Sequence, residues 1–410
     1  MGFLVFALYP IEAEDRLVEL FEKCYSFTRA REAMKTGYYP YFIPLSDTEG
    51  TEVTIDGRQL IMIGSNNYLG LTTHPKVREA AIEAVQQYGT SCTGSRFLNG
   101  TLRLHNQLEE ELADFVGKEA ALVFSTGYQV NVGTISALVG RGDAVITDKE
   151  DHASIIDGCQ MALGGMSRFR HSDMDSLERA LSRCKPDQGK LVVIDGVYSM
   201  GGDIAPLPDI VPLCKKYDAR LMVDDAHSVG VLGDCGRGTA NYYGLTDDVD
   251  LIMGTFSKSF ASLGGFIAGD EAVIHYIQHH ARSLIFSASM PAANVAACLA
   301  ALDIMRSDPS LSQRVCDVAA RMREGYQALG YDTGASETPV VPIIIGDDDK
   351  TFMMWRALFD AGVYTNPIIP PAVPPSKSLL RTSYMATHTD EQMERVLTLF
   401  EQVGKQVGAI

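Results

Sequence analysis

Five short apolar runs, Ala120–Phe124, Ala144–Thr147, Leu191–Asp195, Leu221–Asp224 and Leu251–Gly254, recur between helical stretches in the middle of this chain. Runs this short, apolar throughout rather than alternating, predict strands buried on both faces, the mark of a largely parallel sheet covered by helices. Several end in small or polar residues: Ser125-Thr126-Gly127, Asp148, Ser199-Met200-Gly201, Asp224-Asp225-Ala226-His227 and Thr255-Phe256-Ser257-Lys258. In an open α/β sheet, ligands lie beyond the carboxyl ends of the strands. The spacing therefore gathers these residues at one edge of one sheet.

The flanking segments predict the rest of an α/β chain. Residues 12–35 read as an amphipathic helix carrying Leu17, Leu20, Phe21 and Cys24 on one face. Residues 75–88 read as a second helix, with Thr73 near its start, Pro75 in its first turn, an apolar stripe of Val77, Ala81, Ala84, Val85 and Tyr88, and Gly89 to stop it. A third runs from Arg103 to Val116. After about residue 285 come an Ala-rich helix (Pro291–Met305), strands near Val340–Ile345 and Leu379–Tyr384, a proline-rich turn from Asn366 to Pro375, and a final amphipathic helix. A chain of 410 residues exceeds one small core. The expected division is an N-terminal arm and helix (1–50), a large domain (51–285) and a smaller C-terminal α/β domain (286–410).

Charge and cysteine usage narrow the function. Lys and Arg number 35 against 52 Asp and Glu, a net charge of −17, which speaks against general nucleic-acid binding. The eight cysteines form no CxxC pair, so no zinc cluster or other metal site is expected, and their scatter fits reduced thiols in a cytoplasmic protein. Phe3–Tyr9 is apolar over only seven residues, and the first basic residue is Arg16. A membrane span needs about 20 apolar residues, and a signal peptide needs a preceding positive charge. The segment reads as an arm packed on a partner subunit, or as one lining an acyl-chain entrance or making peripheral membrane contact.

Lys258 follows a buried strand and precedes Gly264-Gly265. A lysine there can form an imine with an aldehyde cofactor, and Thr255 and Ser257 can hold a phosphate beside it. Alone, the segment is equally compatible with a surface lysine. Asp224 ends an apolar strand, where an unpaired carboxylate is costly, and a pyridinium N–H would be a suitable partner; a turn cap is the plainer alternative. His227, three residues on, points toward the same region. His152, in Asp148–Ser154, could stack on a flat heteroaromatic ring or move a proton near neutral pH. Ser125-Thr126-Gly127-Tyr128 opens a helix after a strand, a ready phosphate site.

Ser65-Asn66-Asn67-Tyr68-Leu69-Gly70, Asp151–Ser154, Tyr198–Asp203, Val223–Ser228 and Thr255–Lys258 together resemble the α-oxoamine synthases, which are fold-type I pyridoxal-phosphate (PLP) transferases. The likeness runs in order from about residue 50 to the end. Gly89–Thr101, Pro370–Pro374 and Leu380–Ser383 are most similar to the bacterial serine palmitoyltransferase branch. The resemblance implies that Lys258 is the Schiff-base lysine and takes the substrate α-proton. It implies that Asp224 pairs with the pyridine nitrogen, His227 with the cofactor oxygen, and that His152 stacks on the ring and helps place the substrate carboxylate. Gly127, Tyr128, Thr255 and Ser257 would surround the phosphate, with Ser287 reaching in from a second subunit; Ser199 would lie beside the ring. Asn67 and Arg381 would bind the substrate carboxylate. Some members of the branch carry a further arginine upstream of Arg381, but Ile368–Ser378 contains none.

The implied reaction joins L-serine to a long-chain acyl-CoA with loss of carbon dioxide, giving 3-oxosphinganine, in a homodimer with sites at its interface. A sister synthase taking glycine or alanine and a shorter acyl-CoA would keep every catalytic residue. An aminotransferase or lyase would share the fold but not the full set of motifs. A non-catalytic partner subunit would lack Lys258.

Overall fold

The computed structural model describes residues 19–410. Phe3–Tyr9 and the start of the expected 12–35 helix lie outside them. The central sheet has seven strands, numbered in chain order: β1 (Ala120–Phe124), β2 (Ala144–Asp148), β3 (Gly165–Phe169), β4 (Lys190–Asp195), β5 (Arg220–Asp224), β6 (Leu251–Thr255) and β7 (Gly265–Gly269). Their spatial order is β3-β2-β4-β5-β6-β7-β1. Only β7 runs antiparallel to its neighbours. The α/β class and the five expected strands are present.

Two strands escape the apolar-run pattern for different reasons. β3 (Gly-Met-Ser-Arg-Phe) is an edge strand with only Phe169 buried, so nothing selects a continuous apolar run. β7 is wholly buried but flanked by Gly265 and Gly269. An added Cβ on Gly265 would lie 2.8 Å from the Gly254 carbonyl oxygen and 2.9 Å from the Gly127 Cα. Close backbone approach requires glycine there, and glycine weakens a strand signal.

Two hydrophobic cores divide the chain differently from the expected boundaries. The first, built of clusters on the two faces of the central sheet, includes Val295, Ala301, Leu302 and Met305. The helix Ala292–Ser307, which packs against Pro75–Tyr88, therefore belongs to the large unit rather than to the C-terminal one. The second core joins Val53–Ile63 to residues between Val318 and Val403. Here Glu52–Ile55 and Arg58–Met62 form a hairpin whose second strand pairs with Val363–Tyr364, and Val340–Ile344, Leu379–Ser383 and Asn366–Ile368 form a second small sheet. Residues 51–63 thus leave the large unit, because their apolar faces are buried by the C-terminal segment.

The helices 75–88 and 103–116 stand where periodicity places them. The first is capped by His74, whose Nδ1 accepts from the Lys76 amide at 3.3 Å, rather than by Thr73. The described part of 12–35 breaks into Glu22–Tyr25 and Arg29–Thr36. Leu20 and Phe21 are exposed, so no core contact supports a continuous helix. All eight cysteines are free. Among the described residues no group of three or more acidic, His or Cys side chains could hold a metal, and no helix is long and apolar enough to cross a membrane.

Candidate active site

The carboxyl ends of β4, β5 and β6 and the loop after β2 converge on a cavity of about 260 Å³ lined by His152, Asp195, Asp224, His227, Thr255 and Lys258. Strand register sets Asp195 opposite Asp224, and Asp224 opposite Met253. These walls are placed by backbone pairing before any side chain acts.

Lys258 projects into this cavity and, among the described residues, its Nζ has neither a hydrogen-bond acceptor nor an ion-pair partner. Burial lowers its pKa to about 8, although Asp224 and Asp195 pull the other way. A half-buried amine with no partner, its pKa drawn down toward neutrality, is a nucleophile toward an aldehyde that enters the cavity. Asp224 Oδ2 accepts from Asn131 Nδ2 at 2.7 Å, and Oδ1 from the Ala226 amide at 3.0 Å. Its partners are neutral donors, so a cationic ring N–H would complete it. Asp195 is pushed well above the usual carboxylate range by burial and by the neighbouring Asp224 and Asp151. It accepts from the His152 amide at 3.2 Å.

Tyr68 Oη and His227 Nδ1 share a hydrogen bond of 2.6 Å. Burial holds the His227 pKa well below the usual imidazole value, with Lys258 and Arg381 adding to the effect. The ring is therefore neutral. Ser154 Oγ accepts from Asn131 at 2.8 Å and lies 2.7 Å from His152 Nδ1. Asn131 and Ser154 thus link Asp224 to His152. Neither belongs to the expected site; Asn131 sits mid-helix, and only its place one turn beyond the Thr126-Gly127 start hints at a role.

At the other end of the cavity Thr126 caps the helix Gly127–Leu138, its Oγ1 accepting from the Gln129 amide at 3.2 Å. The Gly127 and Tyr128 amides open that helix and face the Thr255 and Ser257 hydroxyls, which lie 3.1 Å apart. A Cβ at Gly127 would stand 2.7 Å from Thr255 Oγ1. Backbone amides at a helix N-terminus with two hydroxyls suit a phosphate. Amine, carboxylate, ring-facing imidazoles and phosphate cradle together fit pyridoxal phosphate.

Four expected residues, Ser199, Asn67, Arg381 and Ser287, do not line this cavity. Ser199 lines a neighbouring cavity of about 950 Å³ with Tyr198, Met200 and the Pro370–Pro375 strap, meeting the first cavity only at His152. Its carbonyl oxygen accepts from Arg381 Nε at 2.6 Å. Asn67 turns away, Nδ2 donating to Thr72 Oγ1 at 2.8 Å; it is Asn66 Oδ1 that receives Arg381 Nη2, at 3.0 Å. In the Asn66-Asn67 pair, sequence offers no means of choosing. Ser287 Oγ accepts from Gln129 Nε2 of its own chain at 3.1 Å and does not line the cavity.

Residues 58–400 match the aminotransferase class I and II family. The serine palmitoyltransferase of Sphingobacterium spiritivorum is 50% identical over 388 residues, 94% of this chain and 97% of its own length. The 8-amino-7-oxononanoate synthase of Thermoanaerobacter pseudethanolicus is 42% identical over 383 residues, 93% of this chain and 97% of its own length. The chain belongs to the α-oxoamine synthases. A solved structure of SPT with its PLP internal aldimine matches this synthase with a TM-score of 0.92 and 38% identity, covering 95% of this chain and 98% of that one. The synthase has the fold-type I architecture, uses pyridoxal 5′-phosphate and is an acyltransferase.

Proposed function

We infer that this synthase condenses L-serine with a long-chain acyl-CoA such as palmitoyl-CoA, releasing coenzyme A and carbon dioxide and giving 3-oxosphinganine. The likeness to proteins named serine palmitoyltransferase supports the choice of substrates. The observation that carries the chemistry is the unpartnered Lys258 amine facing Asp224 across one small cavity.

Pyridoxal phosphate bound there supplies an electron sink that acidifies the amino acid's α-proton. Asp224 would pair with the ring nitrogen, its carboxylate kept aimed by Asn131. His227, held by Tyr68, would pair with the ring oxygen. The Gly127 and Tyr128 amides with Thr255 and Ser257 would hold the phosphate. His152 would lie against the ring, and Lys258 Nζ, with a pKa of about 8, would take the α-proton. Arg381 receives the substrate carboxylate with Asn66 and His152 beside it. The 950 Å³ cavity under the proline strap gives the acyl thioester room next to His152.

The active unit is a homodimer. Exposed Phe97, Leu98 and Phe286 flank the Gly89–Thr101 and Ser287 segments and suit burial by a second copy, whose Ser287 would complete the phosphate grip. Free thiols suit a reducing, cytoplasmic setting, and the Phe3–Tyr9 arm is suited to a long acyl chain or a membrane surface.

Release of free coenzyme A from purified holoenzyme, offered L-serine, glycine or L-alanine with acyl-CoAs of several lengths, tests the assignment. Serine with palmitoyl-CoA is expected to give the highest kcat/KM. A higher value for glycine or alanine with a shorter thioester would overturn the substrate assignment and leave the reaction class.

A further inference from the structure

Behind the cavity, away from Lys258, a histidine lies between two carboxylates. His171 follows β3, and its Nδ1 is 3.1 Å from Asp148 Oδ1 while its Nε2 is 3.0 Å from Asp203 Oδ2. Glu150 Oε2 stands 3.8 Å from the same Nε2, and the ring meets Tyr198 edge-on, with centroids 4.4 Å apart. Both nitrogens face acceptors, so both must carry protons, which makes the ring a cation. Burial opposes that charge, but Asp148 and Asp203 outweigh it and lift the pKa to about 10. Asp148 is fully buried and otherwise holds the Glu150 and Ser172 amides, at 2.9 Å each. It is a fixed anchor.

Asp203 is not fixed in that way; it closes the Tyr198–Asp203 loop. Its carbonyl accepts from the Tyr198 amide at 3.1 Å, and the Tyr198 carbonyl from the Gly202 amide at 2.8 Å. The loop then touches the other core: the Gly202 carbonyl accepts from Thr338 Oγ1 at 2.9 Å and from the Glu337 amide at 3.1 Å. A Cβ on Gly202, at φ +70°, would lie 2.0 Å from the Val340 carbonyl oxygen. Ser199, in the same loop, presents the carbonyl that fixes Arg381 Nε.

We propose that His171 is a positioning residue for amino-acid recognition: its cation ties Asp203 to Asp148 and so sets the Tyr198–Asp203 loop, whose Ser199 carbonyl aims Arg381 at the substrate carboxylate. The inference rests on the reading that Arg381 receives that carboxylate. His171 lines neither cavity; it acts on the loop through Asp203 and through its edge-on contact with Tyr198, the residue before Ser199.

The test uses holoenzyme titrated with L-serine and with L-serine amide, which lacks the carboxylate, followed by the cofactor's absorption. His171→Gln is expected to weaken L-serine binding about tenfold, the scale of one lost charge-assisted hydrogen bond, and to leave the amide within about twofold. Asp203→Asn should do the same, and serves if His171→Gln does not fold. Hydrogen exchange in 198–203 should rise in both variants. Arg381→Gln is the reference. If it separates the two ligands and the His171 and Asp203 variants weaken both equally or neither, the role of His171 is overturned and the role of Arg381 stands. If Arg381→Gln itself fails to separate them, the carboxylate assignment fails and takes this proposal with it. Loss of thermal stability without a change in the serine-to-amide ratio would make His171 a structural residue only.

Discussion

The wall of the site that holds Lys258 and the wall that holds Arg381 are built on different plans. On the first, Asp195, Asp224 and Lys258 stand at or within three residues of strand ends in one sheet, and strand register places them. On the second, Arg381 sits on the central strand of the small sheet, and only single hydrogen bonds join it to Asn66 and Ser199 in two distant loops. Backbone pairing makes the first wall rigid and its chemistry common to a family. The single hydrogen bonds from strand to loops leave the second adjustable, which is where substrate choice can be altered without refolding the central sheet.

The sharpest way to break this contrast is to empty the first wall. Lys258→Ala should lower turnover by about 10⁴-fold or more, the upper range for a positioned acid–base group, while the protein still binds cofactor non-covalently. Cofactor attached to another lysine would refute the assignment. Asp224→Asn should follow, with a loss of roughly 10²–10³-fold, as for removal of one preorganised electrostatic partner. NMR of α-proton exchange in bound serine, with no thioester present, isolates that step; exchange at the wild-type rate would reduce Asp224 to a strand-end cap. Asn131→Ala, one hydrogen bond further out, should cost about tenfold in the same exchange, on the scale of one buried hydrogen bond.

The second wall should respond in affinity rather than in rate. Asn66→Ala is expected to raise the KM for serine several-fold, by about 1 kcal/mol of lost support for Arg381, with kcat little changed. Asn67→Ala, whose side chain holds only Thr72, should leave that KM near wild type. The reverse result would restore Asn67 to the carboxylate site.

The smallest effect is a pH slope. In the folded apoprotein Lys258 has a pKa of about 8, against 10.5 when unfolded. Between those values the unfolded chain binds more protons, so stability rises with pH there. Below pH 8 the folded protein carries the buried charge at a cost. Urea midpoints of apoprotein and Lys258→Met, from pH 7 to pH 10, should show the wild type gaining on the variant by up to ~3 kcal/mol. Parallel curves would mean that Lys258 is solvated in the folded state.

The same contrast decides what could be read from the chain beforehand. Buried parallel strands need apolar runs, so five strands and the residues ending them were legible; β3 and β7 were not, one for lack of burial and the other for its glycines. His152, Asp224, His227 and Lys258 were legible because chain position and strand end coincide. Asn131 was hidden inside a helix. Ser199 and Asn67 lie outside the Lys258 cavity because a side chain's direction in a loop depends on partners far away in sequence. The shared small core was hidden for a related reason: Val53–Ile63 reads as an ordinary hairpin, and only the fold reveals that the C-terminal segment buries it.

That shared core has a consequence for how the molecule is made. A ribosome releases the Val53–Ile63 hairpin long before the residues that cover it, which run from Val318 to Val403. The large core is complete once the Ala292–Ser307 helix has emerged, apart from a few late contacts such as Val315. During synthesis the hairpin therefore waits with its apolar face uncovered while the sheet beside it closes. Once the sheet has formed, it holds the two halves of the small unit near each other, which shortens the effective loop that must be closed. Until the strand Leu379–Ser383 arrives, the nascent chain has its lysine wall but not Arg381.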